Sequence, residues 1–152
     1  MKKIIIPVAL MLALVLVFTG CETKKKAVSI EKFTSVAESH GLKVVDESDG
    51  YKDDSRFQSV TSGEHTDGWY VSFVVGTSVS DAKNIFENNE SRYKEEYQGS
   101  SSSKSVGNYS TFKLNNDTQY VYMCRVDKTI LFVDVDQKFA EEAKKIVSEL
   151  GY

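Results

Sequence analysis

The sequence contains few residues of the kinds that mark catalysis or nucleic-acid binding. Its 152 residues include two histidines, two cysteines and a single proline. It has no G-x-S-x-G, H-E-x-x-H or C-x-x-C pattern and no glycine-rich loop that would cradle a phosphate. The net charge is −3 and no basic stripe accompanies it. We therefore expect no nucleic-acid partner, no cofactor, no metal and no enzyme of a type recognisable by motif.

Residues with functional side chains do occur, but at spacings typical of ordinary surface or core positions. His40 lies near a predicted helix end and His65 in a turn-rich loop. The acidic loop D-E-S-D-G-Y-K-D-D at 46–54 offers oxygen ligands for calcium, but its glycine does not fit the spacing of a calcium loop. We expect solvated histidines and a solvated loop.

The first eighteen residues differ in character from the rest of the chain. Lys2 and Lys3 give a positive start, and an apolar run follows from Ile4 to Phe18, with Pro7 near its beginning. As a helix this run spans about 22 Å, whereas the hydrocarbon core of a bilayer is about 30 Å thick. The run therefore predicts the core of a signal peptide rather than a transmembrane helix.

The end of this run resembles the lipobox of bacterial lipoprotein precursors. The residues that carry the likeness are V-F-T-G-C at positions 17–21, which end in Gly20 and Cys21. In that family the cysteine thiol receives a diacylglycerol group and the chain is cut immediately before the cysteine. The resemblance implies a signal peptide at 1–20, lipid attachment at Cys21, and a membrane location facing outside the cytoplasm. It covers only these residues.

Two alternatives to a lipoprotein stay open, an uncleaved anchor and an ordinary secreted protein. Ordinary signal cleavage after Gly20 would place bulky Phe18 where that peptidase favours a small residue. Acylation would hold the mature protein on the membrane and would consume the Cys21 thiol. Cys124 would then have no partner, and its apolar strand predicts a buried, unreactive thiol.

Residues 21–28 predict a short lipidated tether. Its seven residues after Cys21 reach about 25 Å at most, so we expect the domain to lie close to the bilayer. Lys24, Lys25 and Lys26 either contact anionic headgroups or keep the tether solvated.

Residues 29–152 predict one α+β domain. Hydrophobic periodicity indicates three helices, which begin near Ser29, near Ser78 or Ser80, and near Phe139. Alternation indicates six strands at 42–45, 57–61, 69–75, 107–114, 119–126 and 129–135. The segment G-S-S-S-S-K-S at 99–105 predicts a flexible loop. The predicted order is α-β-β-β-α-β-β-β-α, with a mainly antiparallel sheet.

The last two strands predict a hairpin that turns at Asp127 and Lys128. This register gives one continuous apolar face through three pairs: Cys124 with Leu131, Tyr122 with Val133, and Tyr120 with Val135.

The opposite face of this hairpin is also apolar, although a sheet open to water should alternate with polar residues there. Its members are Val121, Met123, Ile130 and Phe132, edged by Arg125 and Asp134. Either the protein's own helices cover this face, or it is a surface for an envelope protein partner, a second copy or an apolar ligand.

The leading prediction is a membrane-anchored extracytoplasmic lipoprotein with a small binding or scaffolding domain. It would contact membrane lipid through the Cys21 acyl chains, and its partner is not named by the sequence. One alternative is a cell-envelope enzyme whose site is assembled from residues distant in sequence. Another is a solute-binding accessory of a transporter.

Overall fold

The computed structural model describes residues 24–152, so the predicted signal peptide at 1–20 and Cys21 lie outside the described residues. The helices are α1 (Ile30–Ser39), α2 (Val79–Glu96) and α3 (Ala140–Leu150). The strands are β1 (Lys43–Asp46), β2 (Phe57–Glu64), β3 (Tyr70–Gly76), β4 (Ser100–Val106), β5 (Tyr109–Asn115), β6 (Gln119–Val126) and β7 (Thr129–Asp136). Two 3-10 turns cover Ser48–Tyr51 and Gln137–Phe139.

The seven strands form one antiparallel sheet in the order β1-β2-β3-β7-β6-β5-β4. The predicted fold class, an α+β domain with three helices and an antiparallel sheet, is confirmed. The predicted elements follow one another in the predicted order, and the structure adds β4 between α2 and β5.

Strand β4 corrects the prediction of a flexible loop at 99–105. Its pairing with β5 runs from Ser100 opposite Asn115 to Val106 opposite Tyr109. Residues 100–105 are all exposed, so the strand lies at the sheet edge without an apolar face of its own. Its serines give no hydrophobic alternation, and pairing with its partner strand sets its conformation.

The predicted hairpin of β6 and β7 is confirmed in register. Cys124 pairs with Leu131 and Tyr122 pairs with Val133, as the turn at Asp127 and Lys128 requires. Asp127 has a φ of +51°, a conformation that Asp tolerates better than most residues with a side chain.

Serine side chains begin the first two helices, as predicted. Ser29 Oγ accepts a hydrogen bond from the Lys32 backbone N–H at 3.2 Å, and Ser78 Oγ accepts one from Asp81 at 3.0 Å. Such caps satisfy N–H groups that the helix itself leaves unpaired.

Helices α1 and α3 cover one face of the sheet and bury a large core. Phe33 of α1 stacks on Phe73 of β3 with 5.2 Å between ring centroids, and Ile146 of α3 is fully buried. The same cluster contains Val71, Tyr122, Cys124, Val126, Leu131, Val133, Ala143, Val147 and Leu150, among others.

Helix α2 alone covers the opposite face. Its inward residues are Ala82, Ile85, Phe86 and Tyr93. They pack with Val60, Val74, Phe112, Leu114, Val121, Met123 and Ile130 of the sheet. One face of the sheet is therefore covered by two helices, and the opposite face by one.

The chain before α1 is attached to the domain, which shortens the predicted tether. The Lys25 backbone N–H donates to Asn108 Oδ1 at 2.9 Å, and Asn108 Nδ2 donates back to the Lys25 carbonyl at 2.8 Å. Val28 is buried, and its N–H donates to the Tyr152 hydroxyl at 3.1 Å. The Tyr152 hydroxyl also lies 2.6 Å from Thr129 Oγ1. Residues 25–28 are therefore part of the folded domain.

Candidate functional site

Three of the four residues predicted as a partner surface are core residues beneath α2. Val121, Met123 and Ile130 have no exposed surface. The protein's own helix covers them, which corrects the candidate partner surface at these positions. Phe132, the fourth residue, is only partly buried and lies at the edge of the region that α2 covers.

An open cleft of about 210 Å³ lies beside α2, over strands β2, β3 and β7. The residues that line it come from all of these elements and from the 3-10 turn before β2. They are Tyr51, Phe57, Val60, Tyr70, Ser72, Val74, Ile85, Asn89, Arg92, Tyr93, Phe132 and Asp134. The cleft exists because a single helix does not cover the full width of a seven-stranded sheet.

Aromatic side chains dominate the walls of the cleft. Tyr51 and Tyr70 are 39% and 53% exposed, and they are two of the three large hydrophobic residues with the most exposure among residues 24–152. Tyr51 lies against Phe57 with 4.9 Å between ring centroids. Large exposed rings beside an apolar cleft are typical of a contact site.

Asp134 is the carboxylate of the cleft, and only neutral groups hydrogen-bond to it. Gln119 Nε2 donates to its Oδ1 at 2.6 Å, and the Tyr97 hydroxyl donates to its Oδ2 at 3.3 Å. Burial raises the pKa of the Asp134 carboxyl above its ordinary value, although both hydrogen bonds oppose the rise.

The cation of the cleft, Arg92, is engaged elsewhere. Its Nη1 lies 2.9 Å from Glu96 Oε2, and its guanidinium carbon lies 4.3 Å from the ring centroid of Tyr93. Asp134 therefore makes no ion pair within 4 Å to any lysine, arginine or histidine in the described part of the chain.

Two tyrosines near Asp134 are neutral phenols at physiological pH. Burial, together with the charge of Asp134, raises the pKa of Tyr97 to about 12. The same two causes, with burial the larger, raise the pKa of Tyr93 well above its ordinary value. This end of the cleft therefore offers neutral hydroxyls and one carboxylate.

The other residues singled out in the sequence lie outside the cleft. His40 Nε2 is 3.0 Å from Glu149 Oε1, and the ring of His65 stacks on Trp69, on the α1/α3 side of the sheet. Cys124 is fully buried as predicted, and burial raises the pKa of its thiol. In the acidic loop, Asp54 pairs with Arg56, which holds the pKa of that carboxyl at about 2.

Groups of acidic, cysteine and histidine side chains suited to a metal are not found within residues 24–152. Over the same residues, none of the helices has both the length and the apolar character needed to cross a membrane.

Comparisons with known proteins add a distant likeness in fold. No family model and no curated protein matches the chain. Among solved structures, the chain is similar to the crystal structure of a GTP binding regulator from Thermotoga maritima. The TM-score is 0.47 and the identity 17%, over 84% of this chain and 87% of that one. A likeness of this strength carries no argument about function.

Sequence reasoning located part of the cleft and missed the rest. Phe132 and Asp134 were placed on the correct face of the last strand. Tyr70 and Ser72 occupy the positions of β3 that alternate with its apolar residues, and β3 pairs with β7. The large ring of Tyr70, at a strand position where a polar residue is expected, is the sequence feature that points to the cleft. The contributions of Arg92 and Tyr93 depend on where α2 packs, which no local pattern specifies.

Proposed function

We propose that this chain is a lipid-anchored binding protein of the bacterial cell envelope, held at the membrane through Cys21, with the cleft beside α2 as its binding site. The cleft is the observation on which the binding role depends, because it combines exposed rings with a carboxylate that lacks a cationic partner. The lipobox resemblance at positions 17–21 supports the anchoring.

The attachment of residues 25–28 to the domain supports a close approach to the bilayer. Four steps of the chain separate Cys21 from Lys25, which corresponds to about 14 Å when fully extended. An acyl chain on Cys21 would therefore keep Asn108 and its turn near the headgroups. The exposed lysines Lys24 and Lys26 would lie between the domain and an anionic leaflet.

This attachment also orients the cleft. Thr129 lies at the same end of the sheet as the bound Lys25 segment, through its contact with Tyr152. Asp134 is five residues further along β7, about 16 Å away at the rise of a β-strand. The carboxylate end of the cleft would thus point away from the membrane, where a ligand has access.

The volume of the cleft limits what it accepts. Ligand pockets for drug-sized molecules measure about 300–1,000 Å³, and a cavity of about 150 Å³ holds benzene. At about 210 Å³ the cleft suits one ring or one side chain. The ligand is therefore either a small solute or a single projecting group of a larger envelope partner.

The alternative functions receive less support from the geometry. An envelope enzyme would be favoured by a cleft that gathers His65 with several carboxylates, whereas His65 lies on the other face and Asp134 stands without a second carboxylate in the cleft lining. A transporter accessory for solutes shares the binding role and differs only in its partner.

A fractionation experiment tests the anchoring. In the bacterial host, the chain labelled metabolically with palmitate should appear in the membrane fraction without residues 1–20, and Cys21→Ser should remove the label. Because ordinary cleavage after Gly20 is unfavourable, the unacylated variant should also keep residues 1–20. Cys124→Ala is the matched control, because it removes the buried thiol and should leave label and location unchanged.

The opposite results would refute the anchoring. Membrane-bound protein of the natural sequence that still carries residues 1–20 would indicate an uncleaved anchor. Unlabelled soluble protein from the natural sequence would indicate ordinary secretion.

A further inference from the structure

We propose that Asp134 is the recognition group for a small organic cation, an ammonium carried on an apolar body no larger than one ring. The inference rests on the proposed binding role of the cleft and specifies the chemical class of its ligand. The juxtaposition that carries it is a half-buried carboxylate beside aromatic rings in one cleft, with no cation paired to it.

The charge balance of the site favours a cation over an anion. A carboxylate removed from water is normally paired with a cation or a metal, since its desolvation is otherwise uncompensated. Asp134 has only the Gln119 amide and the Tyr97 hydroxyl. Arg92 acts on Asp134 only through its charge at longer range, because its close contacts are Glu96 and the Tyr93 ring. Asp134 is therefore the charged group of the cleft lining that lacks a paired counterion.

The nearest buried cation on the same face does not supply the missing partner. Arg125 is 5% exposed and lies at the opposite end of the sheet, where its Nη1 donates to the Asp127 carbonyl at 3.0 Å and its Nη2 to Ser110 Oγ at 3.1 Å. Arg125 pairs across the sheet with Ile130, four residues from Asp134, which is about 13 Å along the strand. Its role is to fix the turns of two hairpins.

The walls of the cleft suit the apolar body of such a ligand. Rings attract a cation through their electron-rich faces, by about 0.5–2 kcal/mol each depending on solvent exposure. Tyr70 and Phe132 lie next to Asp134 in the sheet register, and Tyr70 has exposed surface available for contact. The Tyr93 ring is already engaged by Arg92, which leaves Tyr70 and Phe132 for a ligand.

A titration with three probes of one shape and different charge tests the proposal. The purified full chain in non-ionic detergent is titrated with benzylammonium, benzyl alcohol and benzoate, and the backbone amide shifts of Ser72, Phe132 and Asp134 are followed by NMR. Benzylammonium should bind about tenfold or more tightly than benzyl alcohol, since hydrogen bonds to charged groups contribute that much. Benzoate should bind most weakly.

Two variants assign the preference to one carboxylate. Asp134→Asn keeps the shape and an acceptor for Gln119, and it should weaken benzylammonium binding about tenfold while leaving benzyl alcohol unchanged. Asp136→Asn is the matched control, because Asp136 is an exposed carboxylate two residues along the same strand. It should change the benzylammonium affinity by less than about twofold.

The outcomes separate the two proposals. Equal binding of benzylammonium by Asp134→Asn and the natural chain, or preferential binding of benzoate, would overturn the cation class while keeping the cleft as a binding site. Absence of amide shifts with all three probes would overturn the cleft as the binding site, and the cation proposal with it. Neither result bears on the lipid at Cys21, which the fractionation experiment measures separately.

Discussion

The two faces of the sheet are covered to different extents, although both are apolar. Two helices, the buried Val28 and Tyr152 close one face, and its core extends from β3 to β5. The other face has α2 alone, and its core stops at Phe132. Beyond that point the sheet surface becomes the cleft floor, with Ser72 and Asp134 among the apolar residues.

Because the two faces are covered to different extents, one can stabilise the domain while the other binds a ligand. Buried apolar area contributes about 25 cal/mol per Å², so the fully covered face supplies most of the stabilisation. The partly covered face can then hold a half-buried carboxylate and exposed rings at a cost that the fold tolerates. Sites with such locally unfavourable features are commonly functional.

Neighbouring residues of β7 provide the strongest test of the comparison. Leu131 points into the α1/α3 face and is fully buried, whereas Phe132 points towards α2 and is partly buried. Leu131→Ala should lower the unfolding free energy by about 2–5 kcal/mol, and Phe132→Ala by about 1–2 kcal/mol despite its larger side chain. Urea unfolding followed by circular dichroism measures both. A larger loss for Phe132→Ala would contradict the division between the faces.

A second test concerns the hydrogen bonds that attach the Lys25 segment at the edge of the fully covered face. Asn108→Ala removes both hydrogen bonds to the Lys25 backbone, and we expect a loss of about 1–3 kcal/mol. Hydrogen exchange at the Val28 amide should accelerate before exchange in the strands does. Asn88→Ala, at an exposed position of α2, is the control and should change neither quantity. Unchanged exchange at Val28 in Asn108→Ala would show that the segment is held by other contacts.

The smallest expected effect concerns how the contribution of Asp134, on the partly covered face, to the unfolding free energy changes with pH. The pKa of Asp134 is raised in the folded state, so the folded chain binds a proton at pH values where the unfolded chain has released it. The contribution of this residue to the unfolding free energy therefore falls as the pH rises from about 4 towards neutrality. Asp134→Asn should remove this dependence and stabilise the protein at pH 7. Solvent screening of a half-buried group keeps the gain below about 1 kcal/mol.

Melting temperatures at pH 4 and pH 7 measure this effect in the natural chain and in Asp134→Asn. A variant less stable than the natural chain at pH 7 would show that the carboxylate stabilises the fold. Asp134 would then be a structural residue and a weaker candidate for ligand recognition.

Local patterns in the sequence were sufficient to predict most of the fold. The pairing of Cys124 with Leu131 followed from turn residues and alternation alone, because a two-residue turn leaves a single register. The helix start at Ser29, and the second start at Ser78 or Ser80, follow from side chains that accept backbone N–H groups, and the structure has Ser78 as the second cap.

Features fixed by distant partners were the ones that the sequence did not predict. The Lys25 segment was predicted as tether because its hydrogen-bond partner Asn108 lies 83 residues away. The sequence does not decide whether α2 or a partner covers Val121 and Met123, since periodicity gives a helix its apolar side but not its position on a sheet. The cleft could not be predicted for both reasons: its residues are distant in sequence, and its walls depend on where α2 packs.

The two outermost strands affect how neighbouring copies of the chain would meet if many were confined to one bilayer. Strand β1 has four residues and begins with Lys43, and β4 consists of five serines, Lys104 and Val106. Short length and a lysine at the margin discourage strand-to-strand polymerisation between molecules. The short β1 and the lysine within β4 would thus help to keep crowded molecules from joining into fibrils.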